Sequence, residues 1–328
     1  MAAVILDGRE LAEEVKREVS ERTMELASAG NKPKLVAVQV GRHPASELYT
    51  RMQKRNCDQV AIDYELITLP SDLPKQELVS VINRLNSDDS VTALILQMPL
   101  PDHLDAREIQ TVIAPNKDAE SVHPANMGRL FFDDYIIAPC TTMAALSLLR
   151  SATDSLAGKE VVIVGHSEIF GKPLAAMLLA SRSASPTVTI CHVATRDLRS
   201  HTRRADVLIV AAGVAQRRWL VYQNARQAGD TPPAPDLAPL VTPEHLREGA
   251  IVIDVAINRI PRALDASGAP VTSQDGREEM VTVGDVDFEG AVGKVAAITP
   301  VPGGVGPATV AMLLKNVMTC AELGRRGR

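Results

Sequence analysis

The chain has 328 residues, of which 45% are hydrophobic and only 3% aromatic, with a formal net charge of −5. This length allows two domains of ordinary size around an aliphatic core. The scarcity of aromatics and the interspersed charges exclude a base-stacking nucleic-acid platform and argue against an anionic membrane as the main partner. Along the chain, residues 8–29 predict an amphipathic helix, with Leu11, Val15 and Val19 at helical spacing and Gly30 as its stop. KLVAVQVG (34–41) is a continuous apolar run ending in glycine, the pattern of a buried parallel strand. PASELYTRMQKRN (44–56) follows as a helix, with Pro44 suited to its first turn and Tyr49 and Gln53 four positions apart on one face. YELITLP (64–70) reads as a strand, KQELVSVINRLNSD (75–88) as a helix, and VTALILQMPLP (91–101) as a third strand that runs into a proline-rich loop. The alternation implies a parallel α/β sheet.

Residues 102–140 are less regular, and a new helix begins after PCTT (139–142). The alternation then restarts. KEVVIVGHSEIFGKPLAAMLLA (159–180) is strand, glycine turn and helix, and further strands are expected in 187–193, 205–213 and 249–258. Residues 216–242, rich in Pro and Ala, and the polar 261–281 read as surface insertions. Trp219 in the first of these leaves open a subunit contact or local packing. The apolar helix 308–323 must pack on a domain. The fold class expected is α/β with two domains: residues 1–140 with the returning helix 308–328, and 141–307 as a Rossmann-type domain.

Cys57, Cys140, Cys191 and Cys320 form no CxxC pair, and they are expected to be reduced in a cytoplasmic protein. The N-terminus turns acidic too early for a signal peptide, and no apolar run approaches the ~20 residues that span a bilayer. No cluster has metal-ligand spacing, so no metal is expected.

Three constellations carry chemistry. In VVIVGHSEIFGKP, bare amides at a helix start form an anion site for a dinucleotide pyrophosphate. Its G-x-x-x-x-x-G spacing leaves a purely structural turn open, and the parallel strands downstream favour the nucleotide reading. TPVPGGVGPATV (299–310), with its clustered Pro and Gly, reads as a binding loop that lets backbone approach a ligand. LQMPLP (96–101) puts Gln97 at the carboxyl end of a parallel strand, the edge at which ligands of open α/β sheets bind.

Taken in order, LYTRMQKRNC, LQMPLP, NKDAESVHPANMGRL, PCT, VGHSEIFGKP, IDVAIN and TPVPGGVGPATV resemble the methylenetetrahydrofolate dehydrogenase/methenyltetrahydrofolate cyclohydrolase family over nearly the whole chain. The resemblance implies an enzyme of one-carbon metabolism. One half-reaction moves a hydride from the methylene bridge of a reduced folate to a nicotinamide, and the other hydrolyses the methenyl product. It also implies a homodimer, a tetrahydrofolate substrate, NADP as cofactor with NAD as the alternative, and a terminal helix that returns to the first domain. Tyr49, Gln53, Gln97 and Glu120 become the catalytic candidates, and Tyr49, Gln97, Pro99, Leu100, Glu120, Pro302, Gly303 and Gly304 the substrate-binding ones. Gly165, His166, Ser167, Ile169, Gly171, Lys172, Arg196, Ala212, Gly213, Ile257 and Thr309 are the cofactor-binding candidates. His123 matches a family histidine and is expected to order its loop.

The sequence departs from the family at three places. Gln53 stands where the family has lysine, and Lys54 is ~100° further round the helix. The family lysine, bonded to the glutamine of QxPLP, handles protons in hydrolysis, whereas an amide has no accessible pKa. The expectation is a dehydrogenase with cyclohydrolase activity weak or lost. A fully bifunctional enzyme and a non-catalytic folate- or nucleotide-binding relative are the alternatives. Glu120 replaces the aspartate that anchors the pterin, with a methanopterin-like carrier as the alternative to tetrahydrofolate. Near the nucleotide, Val193 offers nothing to a 2′-phosphate, Lys172 and Arg196 are the candidates to compensate, and Ala256 replaces a family glycine.

Overall fold

The computed structural model describes residues 2–42, 44–181, 185–265, 268–273 and 275–326, without the side chains of 44–48 and 325–326. In chain order the elements are β1 (Val4–Ile5), α1 (Gly8–Ser28), β2 (Lys34–Val40), α2 (Pro44–Gln59), β3 (Asp63–Leu69), α3 (Lys75–Ser87), β4 (Ala93–Leu96), α4 (Ala106–Gln110), α5 (Pro124–Arg129) and α6 (Cys140–Ala152). There follow β5 (Glu160–Val164), α7 (Gly171–Ala180), β6 (Thr187–Cys191), α8 (Leu198–Thr202), β7 (Val207–Val210), α9 (Val214–Gln227), β8 (Ile251–Asp254), β9 (Asn258–Pro261), β10 (Met280–Val283), α10 (Phe288–Ala291), β11 (Ala297–Ile298) and α11 (Val305–Arg326).

The chain divides into two compact units. Glu10–Ala144 with Pro307–Arg328 form a three-stranded unit, whose parallel sheet runs β3-β2-β4. Its strands are apolar because helices cover them: Val36, Val38, Leu94 and Leu96 join Leu78, Ile82 and Leu85 of α3 in one core. Helix α1 buries Ala12, Val15, Val19, Thr23 and Leu26, a stripe at helical spacing. Thr23 completes that stripe by donating its hydroxyl to the Val19 carbonyl at 2.8 Å.

Met1–Arg9 with Ala145–Gly306 form the six-stranded unit, with the all-parallel order β1-β11-β8-β7-β5-β6. β6 lies on one side of β5, and the chain then crosses to place β7 on the other. The carboxyl end of β5 is therefore the point where strand order reverses, the crevice in which such sheets bind ligands.

Three features differ from the sequence expectations. The first nine residues go with the six-stranded unit, because β1 pairs with β11 through Val4↔Ala297 and Ile5↔Ile298; two residues are too few for a periodic signal. Part of the first insertion is helix α9 rather than loop. Its Ala215, Trp219 and Tyr222, spaced by four and three, pack on Ile260. Trp219 is thus locally packed, stacked on Tyr222 with ring centroids 5.7 Å apart. The second insertion is bounded by the antiparallel pair β9–β10, in register from Asn258↔Val283 to Pro261↔Met280.

Asp285, 2% exposed, fixes the start of α9. Its carboxylate accepts from the amides of Ala212 and Gly213 at 2.8 Å each, Val214 at 3.2 Å and the Asn258 side chain at 3.0 Å. Asp285→Ala strands these donors in a buried site, and a loss of at least ~3 kcal/mol of stability is expected. Urea unfolding measures it; a loss below ~1 kcal/mol contradicts the assignment.

Candidate active site

In the three-stranded unit the ladder continues one residue beyond β4, where the Gln97 amide donates to the Val38 carbonyl at 2.8 Å. This fixes the Gln97 side chain at the carboxyl edge of the sheet. Its Nε2 donates to Gln53 Oε1 at 2.7 Å, and the Tyr64 hydroxyl donates to the same oxygen at 3.2 Å. Burial holds the Tyr64 phenol well above its ordinary range, so it remains a donor. Gln53 and Gln97 are 3% and 7% exposed. Lys54 offers no replacement amine: its ammonium bonds both oxygens of exposed Asp58 at 2.9 Å, one turn along α2. Tyr49, one turn before Gln53, is 53% exposed. Desolvation of its hydroxyl, then the charge of Glu120, raises its pKa.

Glu120 sits on a strap pinned at both ends. The Leu94 amide donates to the Lys117 carbonyl at 2.7 Å, and the Ala119 amide donates back to the Leu94 carbonyl at 3.3 Å. On the far side, Asn316 Nδ2 of α11 donates to the carbonyls of Ala119 at 2.8 Å and Ala138 at 2.9 Å, and to Cys140 Sγ at 3.4 Å. Ser121 turns the strap with φ of +57°, and its hydroxyl donates to the Ile137 carbonyl at 3.0 Å. Asp118 Oδ2 accepts from the His123 amide at 2.8 Å and from Asn126 Nδ2 at 3.1 Å, while its buried Oδ1 has no partner among the described residues. The Glu120 side chain reaches the surface in part, but its carboxyl is enclosed. Burial, then the charge of Asp118, pushes it up to about 7. His123 orders the following turn, accepting the Ala125 amide on Nδ1 at 3.0 Å to cap α5. Pro99 is exposed, and Leu100 packs partly on the core of this unit.

In the six-stranded unit the glycine turn between β5 and α7 admits no side chain at two positions. Gly165 has φ of +124°, and a Cβ there would lie 2.4 Å from the Ala211 carbonyl oxygen. A Cβ on Gly171 would lie 2.0 Å from the Gly165 carbonyl oxygen. Backbone therefore packs on backbone, leaving His166, Ser167 and Ile169 exposed before a ten-residue helix without a side-chain cap. Such a cradle fits a dinucleotide pyrophosphate. The His166 and His192 rings, at the ends of β5 and β6, have centroids 4.7 Å apart. Lys172 pairs with Glu168 at 3.5 Å, whereas Arg196 is exposed in the loop after β6. The amides of Ala212 and Gly213 are taken by Asp285 and cannot hold a cofactor; their remaining surfaces are half-buried. Ile257 is 59% exposed beyond β8, and Ala256 beside it is buried. Pro302 is exposed, Gly303 has φ of +114°, and the Gly304 amide donates to the Pro300 carbonyl at 2.8 Å. Thr309 lies on α11 in the three-stranded unit.

The sequence reading missed Tyr64 and Asn316. Tyr64 pairs with Leu35 at the amino end of the sheet and meets Gln53 only because α2 packs on β3, whereas Asn316, a lone amide within an apolar helical stripe, was a readable signal.

The model for the tetrahydrofolate dehydrogenase/cyclohydrolase catalytic domain matches residues 6–120, and that for its NAD(P)-binding domain matches 139–225 and 234–325. The chain belongs to this family. Among its relatives, the bifunctional protein FolD of Methanosarcina barkeri is 42% identical over 319 residues, 97% of this chain and 96% of that protein. The crystal structure of bifunctional FolD from Campylobacter jejuni matches with a TM-score of 0.82 at 36% identity, covering 98% of this chain and 99% of that one. FolD from Trypanosoma brucei, solved with NADP and an inhibitor, matches with a TM-score of 0.82 at 32% identity, covering 99% of each chain. The catalytic-domain match contains Tyr49, Gln53, Gln97 and Glu120, and the NAD(P)-binding match contains the glycine turn.

Proposed function

We propose that this chain is an NADP-dependent methylenetetrahydrofolate dehydrogenase whose cyclohydrolase step is strongly weakened. The observation that carries this reading is the Gln53 carboxamide, held by Gln97 and Tyr64 where the family resemblance expects lysine, with Lys54 engaged by Asp58. Tyr49 packs along the pterin, Glu120 accepts hydrogen bonds from the ring nitrogens, and Gln53 and Gln97 hold the one-carbon unit. NADP supplies the nicotinamide that takes the hydride. Hydride transfer asks the protein mainly for orientation. Hydrolysis also requires a proton to leave the attacking water, and a carboxamide cannot take it. The bifunctional names of the FolD relatives favour the second reading, in which a neighbouring group still activates water.

NADP is preferred over NAD because the segment His192–Arg196 after β6 contains no carboxylate to read a ribose 2′-hydroxyl, and it ends in an exposed guanidinium. Lys172, paired with Glu168, contributes less. The exposed edge strand β6, with Ile190 and nearby Leu179, suits the homodimer. A cytoplasmic location is consistent with the absence, among the described residues, of any helix long and apolar enough to cross a membrane.

The test follows reduced-nicotinamide absorbance with methylenetetrahydrofolate and each cofactor in turn, alongside methenyl hydrolysis in the same preparation. No turnover with either cofactor contradicts the dehydrogenase, and hydrolysis far above the uncatalysed rate contradicts the weakened cyclohydrolase. Arg196→Ala is expected to raise the KM for NADP roughly tenfold while leaving that for NAD unchanged, the effect of losing one charge-assisted hydrogen bond. Equal changes for both cofactors contradict the role of Arg196.

A further inference from the structure

We infer that Tyr64 is a positioning residue that suppresses hydrolysis: by donating to Gln53 Oε1 it occupies the last lone pair with which that amide could orient a water, so the methenyl product leaves unhydrolysed. The inference deepens the functional reading above and rests on its placing the one-carbon unit beside Gln53.

Hydrolysis joins a water oxygen to the methenyl carbon and breaks one of that carbon's two C–N bonds. One water proton ends on the released nitrogen and the other in solvent, and no electrons are transferred. The water must turn a lone pair towards the carbon, so its O–H bonds must point away, at acceptors. A glutamine can serve such a step without taking the proton, as in nucleotide hydrolysis, because its carboxamide oxygen accepts from the water and aims it. An amide at position 53 therefore removes the proton carrier but does not by itself end water positioning.

In this chain the amide oxygen is already committed. A carboxamide oxygen offers two lone pairs. Gln97 Nε2 donates to Gln53 Oε1 at 2.7 Å, and the Tyr64 hydroxyl donates to it at 3.2 Å. Both donors come from the sheet, Gln97 from the end of β4 and half-buried Tyr64 from β3. Helix α2 brings Gln53 to them because Thr50, Gln53 and Cys57, spaced by three and four, are its buried face. Burial keeps the phenol protonated and therefore a donor. The N–H bonds of Gln53 Nε2 have no acceptor among the described residues. That nitrogen is not sealed in protein, since the enclosed polar atoms without a partner are Gln39 Oε1, Asp118 Oδ1 and His201 Nδ1. The amide thus offers an incoming water N–H bonds and no lone pair. A water held in that way spends its own lone pair on the amide, which makes it a poorer nucleophile. The Tyr64 bond is the longer of the two, and its removal frees a lone pair while leaving Gln97 in place.

The experiment measures hydrolysis of methenyltetrahydrofolate, and NADP reduction with methylenetetrahydrofolate, on the same preparations of wild type, Tyr64→Phe, Gln53→Met and the double variant. Tyr64→Phe keeps the ring and removes only the donor. It should raise the ratio of hydrolysis to hydride transfer roughly tenfold, the scale of one hydrogen bond. The rise should vanish in the Gln53→Met background, because Tyr64 acts through that amide. A ratio that is unchanged or lower in Tyr64→Phe overturns the inference, and so does a rise of equal size without Gln53. A second readout uses the wild type alone. In side-chain amide NMR with isotope-labelled glutamine, the Gln53 amide protons, identified by their loss in Gln53→Met, should exchange rapidly with water. Slow exchange would mean that the nitrogen, not the oxygen, faces Tyr64 and Gln97, and overturns the inference. Wild-type hydrolysis far above the uncatalysed rate, or no NADP reduction at all, instead overturns the functional reading on which it rests.

Discussion

Replacing Gln53 with lysine should raise methenyl hydrolysis by at least about a hundredfold, the usual contribution of a positioned proton carrier, while hydride transfer above neutral pH stays within a few fold. The site can receive the amine. Gln53 is 3% exposed, and its Oε1 sits between Gln97 Nε2 and the Tyr64 hydroxyl. A lysine ammonium needs acceptors there instead. Rotation of the Gln97 amide presents its oxygen, and the Tyr64 oxygen serves as the second acceptor. Enclosure disfavours the charged amine and brings its pKa down towards neutrality, so it can take a proton from water and return it. Both half-reactions are measured on one preparation by absorbance. A folded variant with unchanged hydrolysis contradicts the role assigned to position 53.

The order of strands and helices was legible because both units are built from parallel strands covered on their faces, which appear as apolar runs ending in glycine or proline. KLVAVQVG, VVIVG and ADVLIVAAG stand out for this reason. The elements that escaped are those whose reason to exist lies elsewhere in the chain. β1 is two residues long and exists because β11 offers an edge. Helix α9 begins inside a segment whose Pro and Ala content dominates its composition, yet the 215, 219 and 222 stripe finds Ile260 some forty residues later. β9 and β10 flank a polar stretch, and their pairing spans about twenty residues that carry no alternation.

The candidate site divides in the same way. Tyr49 and Gln53 share a helix face, so their relation was readable from spacing alone. The bond between Gln53 and Gln97 is a contact across 44 positions, which the resemblance supplied and spacing could not. Glu120 is more revealing. Its substitution for a family aspartate was visible, but its protonation depends on burial and on Asp118, which only folding brings to bear.

Gly171→Ala should lower kcat/KM for NADP by about a hundredfold or more, the scale on which small misplacements of a bound reactant act. The added Cβ would lie 2.0 Å from the Gly165 carbonyl oxygen, 2.8 Å from its carbonyl carbon and 3.1 Å from His166 Cα. All three are main-chain atoms, so no side chain can swing away, and relief requires the turn itself to open. Opening it displaces the amides at the head of α7, the ones proposed to cradle the pyrophosphate, and pulls Gly165 from the Cys191 carbonyl, to which its amide donates at 2.9 Å. Overpacking of this kind also costs about 1–3 kcal/mol. Gly158→Ala separates the two consequences. Gly158 has φ of +71° with nothing within 4 Å of a Cβ, and it lies ahead of β5, outside the cradle. It should lose about 1 kcal/mol of stability through backbone strain and keep its KM for NADP. Steady-state kinetics with NADP, paired with urea unfolding of both variants, reads the contrast. If Gly171→Ala loses stability but retains wild-type kcat/KM for NADP, the turn is structural and the cofactor is held elsewhere.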